Sequence, residues 1–205
     1  EYGDEGHWHT PPITLIAYAH SASLSWAYEA NCNESLQDIL NTHVFMDSSN
    51  ITGKVAYDLG NVYRHPGLNN LITESLTTEI GSDPLWNILQ GAIGITDTGD
   101  RWSDTWNILF KGDQPLSIDG LKETTHYIDE IISPLSKVDM SRFDASLIVD
   151  ELQLGASLQK HACNLAQSLI ITNNKRVNEI TPKIRKKLAD ELGPIIENYR
   201  YLWLQ

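Results

Sequence analysis

The feature that most constrains the fold is an apolar stripe at helical spacing in the second half of the chain. Between Ser141 and about Thr172, apolar or small residues recur every three or four positions, at Ile148, Leu152, Gly155, Leu158, Ala162, Leu165 and Leu169. This period matches one face of an α-helix and does not fit the strict alternation of a half-buried strand. We therefore expect one long helix that ends at the polar pair Asn173-Asn174.

Helix signals also recur along most of the remaining chain. Helix starts are predicted at Ser35, at Ser48 or Ser49, at Asp83-Pro84, at Ser103 and at Ser117, since such residues cap helix N-termini. Pro134 should end or kink the helix that begins at Ser117. A last stripe runs from Ile184 to Leu202, and Pro194 inside it should kink that helix. With no convincing strand pattern, the sequence predicts a mainly α fold, a helical bundle.

The first predicted helix differs from the others in its pattern. Pro11 and Pro12 open a segment from Ile13 to Ala30, with Pro12 placed as a first-turn proline. Its apolar residues nearly encircle the helix, and a helix that is apolar on all sides is expected to be buried on most sides. We therefore expect this helix to lie between other elements.

Charge and composition exclude several classes of protein. The net charge is -12 and the pI is about 4.9, whereas a nucleic-acid-binding protein normally needs a basic face. The one basic cluster falls inside an amphipathic pattern and is interpreted as a solvated helix face, at Lys183, Arg185, Lys186 and Lys187. No apolar run approaches the roughly 20 residues of a membrane span. Cys32 and Cys163 cannot form a disulfide scaffold. We therefore expect no nucleic-acid partner, no membrane partner and no cofactor.

The first nine residues have the composition of a ligand-facing loop. Residues 1–9 place two aromatics, two histidines and three carboxylates around two glycines. A carboxylate accepts hydrogen bonds from sugar hydroxyls, and an aromatic face packs on the C–H surface of the sugar ring. Tyr2, Asp4 and Trp8 would suit such a site. Chain ends usually carry dispensable polar residues, so we expect this chain to begin inside a larger protein.

A metal site is the alternative interpretation of the same loop. His7 and His9 stand two positions apart, so their side chains point the same way in an extended segment. Asp4 and Glu5 are close in sequence, and His and carboxylate groups are usual ligands of divalent metals. No third ligand is evident, so we predict no metal.

The same loop carries a resemblance to a known family. Residues 2–8, then Pro11-Pro12, then residues 27–31 look like a segment of the bacterial family 20 glycoside hydrolases, the β-N-acetylhexosaminidases. Further ordered matches are His43-Val44-Phe45, residues 57–63 (Tyr-Asp-Leu-Gly-Asn-Val-Tyr) and residues 199–204 (Tyr-Arg-Tyr-Leu-Trp-Leu). In the family, the closing segment continues into an Arg-Pro-Gly-Gly stretch that is absent here.

The resemblance implies a division of the chain and a sugar site. Residues 1–31 would be the last βα loop and last helix of a catalytic (β/α)8 barrel, where such barrels build their sites. Residues 32–205 would be a helical C-terminal domain. Tyr2 stands where the family has a tryptophan that lines the acetamido pocket, and Asp4 stands where an acidic residue binds the outer hydroxyls. His7 and Trp8 complete the expected substrate-binding set.

The resemblance also implies that the catalytic residues lie outside this chain. In the family, an Asp-Glu pair follows a His-x-Gly-Gly pattern earlier in the barrel, and the substrate's acetamido group acts as nucleophile. Gly3-Asp4-Glu5 mimics the end of that motif, but the Gly-His-Trp and proline-led helix that follow belong to the later motif. We therefore expect a hydrolase fragment that is inactive alone. The alternative is a stand-alone helical interaction or scaffold module.

Overall fold

The computed structural model of the protein describes residues 11–68, 115–173 and 180–204. Within these ranges the chain is predominantly helical and contains no strand, and a single isolated bridge pairs Asp47 with Met140. The predicted mainly α fold is therefore confirmed. The helices predicted after Asp83-Pro84 and Ser103 lie outside the described residues.

The chain divides into two compact units, of which the first contains described residues 11–60, 129–156 and 201–204. Its N-terminal part comprises α1 (Pro11–Trp26), α2 (Tyr28–Asn31), α3 (Leu36–Ile39), a π-helix (Leu40–Phe45) that continues α3 directly, and α4 (Thr52–Gly60). α1 contacts α2, α3, the π-helix and α4. Leu40, Phe45, Val55 and Leu59 form the centre of this packing, where each is almost completely buried.

α1 is more exposed than its sequence predicts. Most of its described side chains are exposed or half-buried, and Pro12 is the one that is fully buried. The Trp26 side chain is 89% exposed, and Tyr18 is also exposed. The expectation that this helix is buried on most sides is wrong for the described residues, in which α2, α3, the π-helix and α4 are its main neighbours and leave these side chains exposed.

The second unit contains described residues 61–68, 115–128, 157–173 and 180–200. Its elements are two 3-10 turns (Val62–Arg64 and Pro66–Leu68), most of α5 (Ile118–Ile132), the C-terminal part of α6 (Ala145–Thr172) and most of α7 (Pro182–Trp203). Gly67 and Gly120 bring two backbones into contact. A Cβ on Gly67 would lie 2.3 Å from the Gly120 carbonyl oxygen, so both positions require glycine.

Most local sequence signals correctly mark where these helices begin and end. The Ser117 hydroxyl accepts a hydrogen bond from the Gly120 N–H (2.9 Å) at the start of α5. α5 ends at Ile132, before a 3-10 helix (Ser133–Lys137) that contains Pro134, as the sequence predicts. Pro194, in contrast, does not end α7, which continues through it as one helix.

α6 begins four residues later than its sequence predicts, at Ala145 and not at Ser141. The Ser141 N–H donates to the Met46 carbonyl (3.0 Å), and the Arg142 guanidinium donates to the Val44 carbonyl (2.9 Å). These hydrogen bonds hold Ser141 and Arg142 against the end of the π-helix, and α6 therefore begins after them.

Candidate functional site

The predicted sugar-binding residues lie outside the described part of the chain. This applies to Tyr2, Asp4, His7 and Trp8, and equally to the alternative metal ligands Glu5 and His9. Their roles therefore stay predictions. Within residues 11–68, 115–173 and 180–204, no three His, Cys, Asp or Glu side chains are grouped so that they could hold a metal ion. No helix in those ranges is both long and apolar enough to cross a membrane.

The Asp47 carboxylate is the centre of a dense polar cluster in the first unit. It accepts six hydrogen bonds. Oδ1 receives the Ser49 N–H (2.9 Å), the Ser49 hydroxyl and the Asp139 N–H (3.1 Å). Oδ2 receives the Ile51 N–H (3.0 Å), the Thr52 N–H (2.8 Å) and the Thr52 hydroxyl (2.8 Å). The Asp47 cluster, defined by these five residues, joins the start of α4 to the segment before α6.

Asp47 supplies the capping acceptor of α4, so the prediction of a Ser48 or Ser49 cap is wrong. The Ser48 hydroxyl instead donates to the Asp139 carboxylate, and the Ser49 hydroxyl donates to Asp47. A carboxylate offers two acceptor oxygens and a negative charge beside the positive end of the helix dipole. That combination outcompetes a neutral hydroxyl when the orphan N–H groups are buried.

The electrostatics of the Asp47 cluster indicate a structural role. Asp47 is only 4% exposed, and burial on its own raises the pKa of a carboxyl group. The hydrogen bonds from Ser49 and Thr52 outweigh that burial and hold the pKa of Asp47 well below its usual range. A carboxylate has about four lone-pair sites, and six donors already occupy them. Asp47 therefore has no free capacity for a metal ion or a substrate.

A second set of contacts fixes the segment that leads into α6. Arg142 forms a two-pronged ion pair with Asp144, with its Nε 2.7 Å from Oδ1 and its Nη2 2.6 Å from Oδ2. The pKa of Asp144 is lowered chiefly by these hydrogen bonds from Arg142. Between the two charged residues, the Phe143 side chain is 99% exposed. A bulky apolar group is thus displayed on an anchored segment.

The start of α4 also packs tightly against the π-helix. The buried Asn41 side chain accepts a hydrogen bond from the Gly53 N–H, at 2.6 Å from its Oδ1. A Cβ on Gly53 would lie 2.5 Å from the Gln37 carbonyl oxygen and 2.8 Å from Asn41 Oδ1. Glycine at position 53 is therefore required by the close approach of the two helices.

The second unit contains a buried histidine that the sequence did not single out. His161 on α6 is 5% exposed, and its Nδ1 has no hydrogen-bond partner among the described residues. Glu191 on α7 is the nearest acid, with its Oε2 3.9 Å from that nitrogen. His161 neighbours Ala162 of the apolar stripe, and this adjacency is the only sequence signal of its position.

The described segments that carry the family resemblance are largely helical, since Pro11-Pro12 begin α1 and residues 28–31 form α2. Residues 43–45 end the π-helix, residues 57–60 end α4, and residues 199–203 end α7. Each of the three includes a buried apolar side chain, namely Phe45, Leu59 and Leu202. In the described residues these matches therefore contribute to packing, and the predicted chemistry is confined to residues 2–8.

The chain matches no model of a known protein family, no curated protein and no solved structure. The resemblance to the family 20 glycoside hydrolases therefore rests on the ordered segments given above.

Proposed function

We propose that this chain is the C-terminal portion of a glycoside hydrolase that resembles the bacterial β-N-acetylhexosaminidases. It contributes one edge of the pocket for a terminal N-acetylhexosamine, through Tyr2, Asp4, His7 and Trp8. The catalytic Asp-Glu pair is supplied by the preceding part of the barrel, so the isolated chain does not hydrolyse glycosides.

The observation that carries this proposal is the order of the matching segments. They begin at residues 2–8, continue through residues 43–45 and 57–63, and close at residues 199–204, in the order of the family. Each segment alone is short, but their common order over nearly the whole chain is specific. The helical fold of the described residues agrees with a helical C-terminal domain beside a barrel.

The exposed side of α1 gives further support. A last barrel helix has the barrel on one side and the C-terminal domain on the other, which calls for apolar residues all round. In the described residues α1 is covered on the side of α2, α3, α4 and the π-helix, while Tyr18 and Trp26 are exposed. In the proposed parent enzyme, these two exposed rings would be available for contact with the barrel.

The proposed division of labour follows from the chemistry of the residues. Asp4 would accept charge-assisted hydrogen bonds from the outer hydroxyls, and the rings of Tyr2 and Trp8 would pack on the sugar's apolar face. These contacts hold the sugar while the upstream glutamate protonates the leaving oxygen. The upstream aspartate orients the acetamido group, whose oxygen attacks the anomeric carbon as the bond to the leaving oxygen breaks. Water then attacks the anomeric carbon, breaks this new bond and restores the acetamido group on the sugar.

Substitution of Asp4 in the intact parent enzyme tests the proposed sugar contact. A hydrogen bond to a charged group contributes about 1.5–3 kcal/mol, so Asp4→Ala should lower kcat/KM by about 10- to 100-fold or more. The melting temperature should stay the same. Asp190→Ala, at an exposed position of α7, is the matched control and should change neither quantity. Unchanged kcat/KM with a lower melting temperature would assign Asp4 a structural role.

The parent gene and the isolated chain test the proposed truncation. We expect a His-x-Gly-Gly-Asp-Glu motif upstream of Glu1 in the gene. The isolated chain should not turn over aryl N-acetylglucosaminides. Activity that stays proportional to this chain through successive purification steps would refute the proposal.

A stand-alone helical interaction module is the second candidate. Phe143 favours it, because a fully exposed aromatic on an anchored segment is suited to enter a pocket on a partner. An initiator methionine directly before Glu1 in the gene would favour this candidate. The upstream motif would decide for the hydrolase.

A further inference from the structure

His161 occupies an unusual environment where α6 packs against α7 in the second unit. The ring is almost completely removed from solvent, yet its Nδ1 makes no hydrogen bond within the part of the chain that the structure describes. Buried polar side-chain atoms in folded proteins nearly always have a partner. Because Nδ1 of this buried imidazole has no such partner, the stability of the surrounding packing depends on whether the ring is charged.

Glu191 faces this nitrogen from α7 without bonding to it. The 3.9 Å between Glu191 Oε2 and His161 Nδ1 exceeds hydrogen-bond range. The carboxylate is engaged elsewhere, since Asn164 Nδ2 donates to Oε2 (3.3 Å) and Lys187 Nζ lies 3.7 Å from Oε1. These contacts therefore hold the Glu191 carboxylate near the ring, at a distance too long for a hydrogen bond to Nδ1.

The burial of His161 and its distance from Glu191 together determine the pKa of the ring. Burial lowers the pKa of His161, and the charge of Glu191 offsets that effect in part. Lys187 weakens the offset because it neutralises part of the Glu191 charge. Among the described residues, Glu191 is the charged group that acts on the ring. The docked arrangement of α6 and α7 therefore favours the neutral imidazole.

We propose that His161 and Glu191 form a proton-operated latch, in which the neutral ring keeps α7 docked on α6 and protonation in mildly acidic solution releases α7. The folded-state pKa of the ring is below its unfolded value of about 6.5. The stabilisation is therefore complete above about pH 6.5 and is lost as the pH falls from there towards the folded-state pKa. Release of α7 should expose its Leu188 side chain, which is buried in the docked arrangement.

Hydrogen exchange on the full chain tests the latch. Amide exchange is followed from pH 7.5 to pH 5 and corrected for the intrinsic rate at each pH. Below about pH 6.5, the opening constant of the α7 amides should rise by up to tenfold per pH unit, the limit for uptake of one proton. The α4 amides serve as an internal reference and should show no such rise. A flat profile for α7 in the unmodified protein would overturn the proposal.

Three variants separate the latch from general acid sensitivity. His161→Gln removes the titrating group and should abolish the pH response of α7. His20→Gln replaces an exposed histidine of α1 and should leave the response intact. Glu191→Gln removes the charge that offsets burial, so the response should become larger and extend to lower pH. The latch is wrong if His161→Gln keeps the original response. It is also wrong if Glu191→Gln reduces that response, and this second variant decides the matter where His161→Gln does not fold.

Discussion

Asp47 and His161 are buried to almost the same extent, yet Asp47 has more hydrogen-bond donors than it needs, whereas the Nδ1 of His161 has no partner among the described residues. The difference follows from their positions on their helices. Asp47 precedes α4, where the first backbone N–H groups of a helix have no partner within the helix. His161 lies in the middle of α6, where the backbone groups are already used. Partners for a buried polar group are thus available locally at a helix end, whereas at a helix centre they must come from another helix.

The largest expected effect is the loss of the Asp47 carboxylate. Asp47→Ala leaves the buried donors of Thr52 and the part-buried donors of Ser49 and Ile51 without this acceptor, at up to about 1–3 kcal/mol for each unsatisfied group. The free energy of unfolding should fall by about 3–5 kcal/mol, measured by urea denaturation. Asp139→Ala is the matched control, since among the described residues its exposed carboxylate bonds only to the Ser48 side chain. This substitution should cost about 1 kcal/mol or less.

Acid titration sharpens the same comparison. The folded-state pKa of Asp47 is below its unfolded value of about 3.9. The stabilisation from Asp47 is therefore complete above about pH 4 and is lost as the pH falls further. The first unit should keep its structure between pH 6 and pH 4.5, measured by hydrogen exchange of α4. Equal losses for Asp47→Ala and Asp139→Ala would remove the distinction between buried and exposed carboxylates.

A smaller effect, of opposite sign in the two units, is expected for glycine-to-alanine changes within helices. Gly53→Ala places a methyl group against Gln37 and Asn41 and should cost about 1–3 kcal/mol, as overpacking does. A Cβ on Gly193 in α7 would meet no atom within 4 Å apart from its chain neighbours and the backbone of its own helix. Gly193→Ala should therefore raise the free energy of unfolding by about 0.5–1 kcal/mol, because alanine is the better helix former. Thermal denaturation of both variants measures the signs. If both variants are stabilised, helix propensity outweighs packing at position 53; if both are destabilised, the prediction for Gly193 is wrong.

The sequence predicted those features of the fold that depend on near neighbours. Ser35 caps α3 and Ser117 caps α5 because each hydroxyl bonds to an N–H three residues later. The end of α5 before Pro134 is equally local. These features were predicted correctly because the interacting groups lie within one helical turn of each other.

Features decided by distant residues were predicted wrongly or missed. Three consecutive residues, Asp47, Ser48 and Ser49, are all good capping residues by type, and the choice among them depends on Asp139, which is 92 positions away. The late start of α6 depends likewise on Met46 and Val44. The burial of His161 could not be predicted because it lies beside the apolar stripe and not within it. For the candidate site itself, Tyr2 to Trp8 lie outside the described residues, and their role stays a prediction.

The long-range bonds of the Asp47 cluster also bear on how the chain folds. Helical proteins usually fold fast because most of their contacts join residues close in sequence. The bonds from Asp139 to Asp47 and from Arg142 to Val44 instead close loops of 92 and 98 residues. The entropy of loop closure must be overcome before these bonds form. During synthesis, α1 to α4 therefore emerge from the ribosome long before the segment that completes their packing. Until that segment is made, the hydrogen bonds from Asp139 and Arg142 to Asp47 and Val44 cannot form.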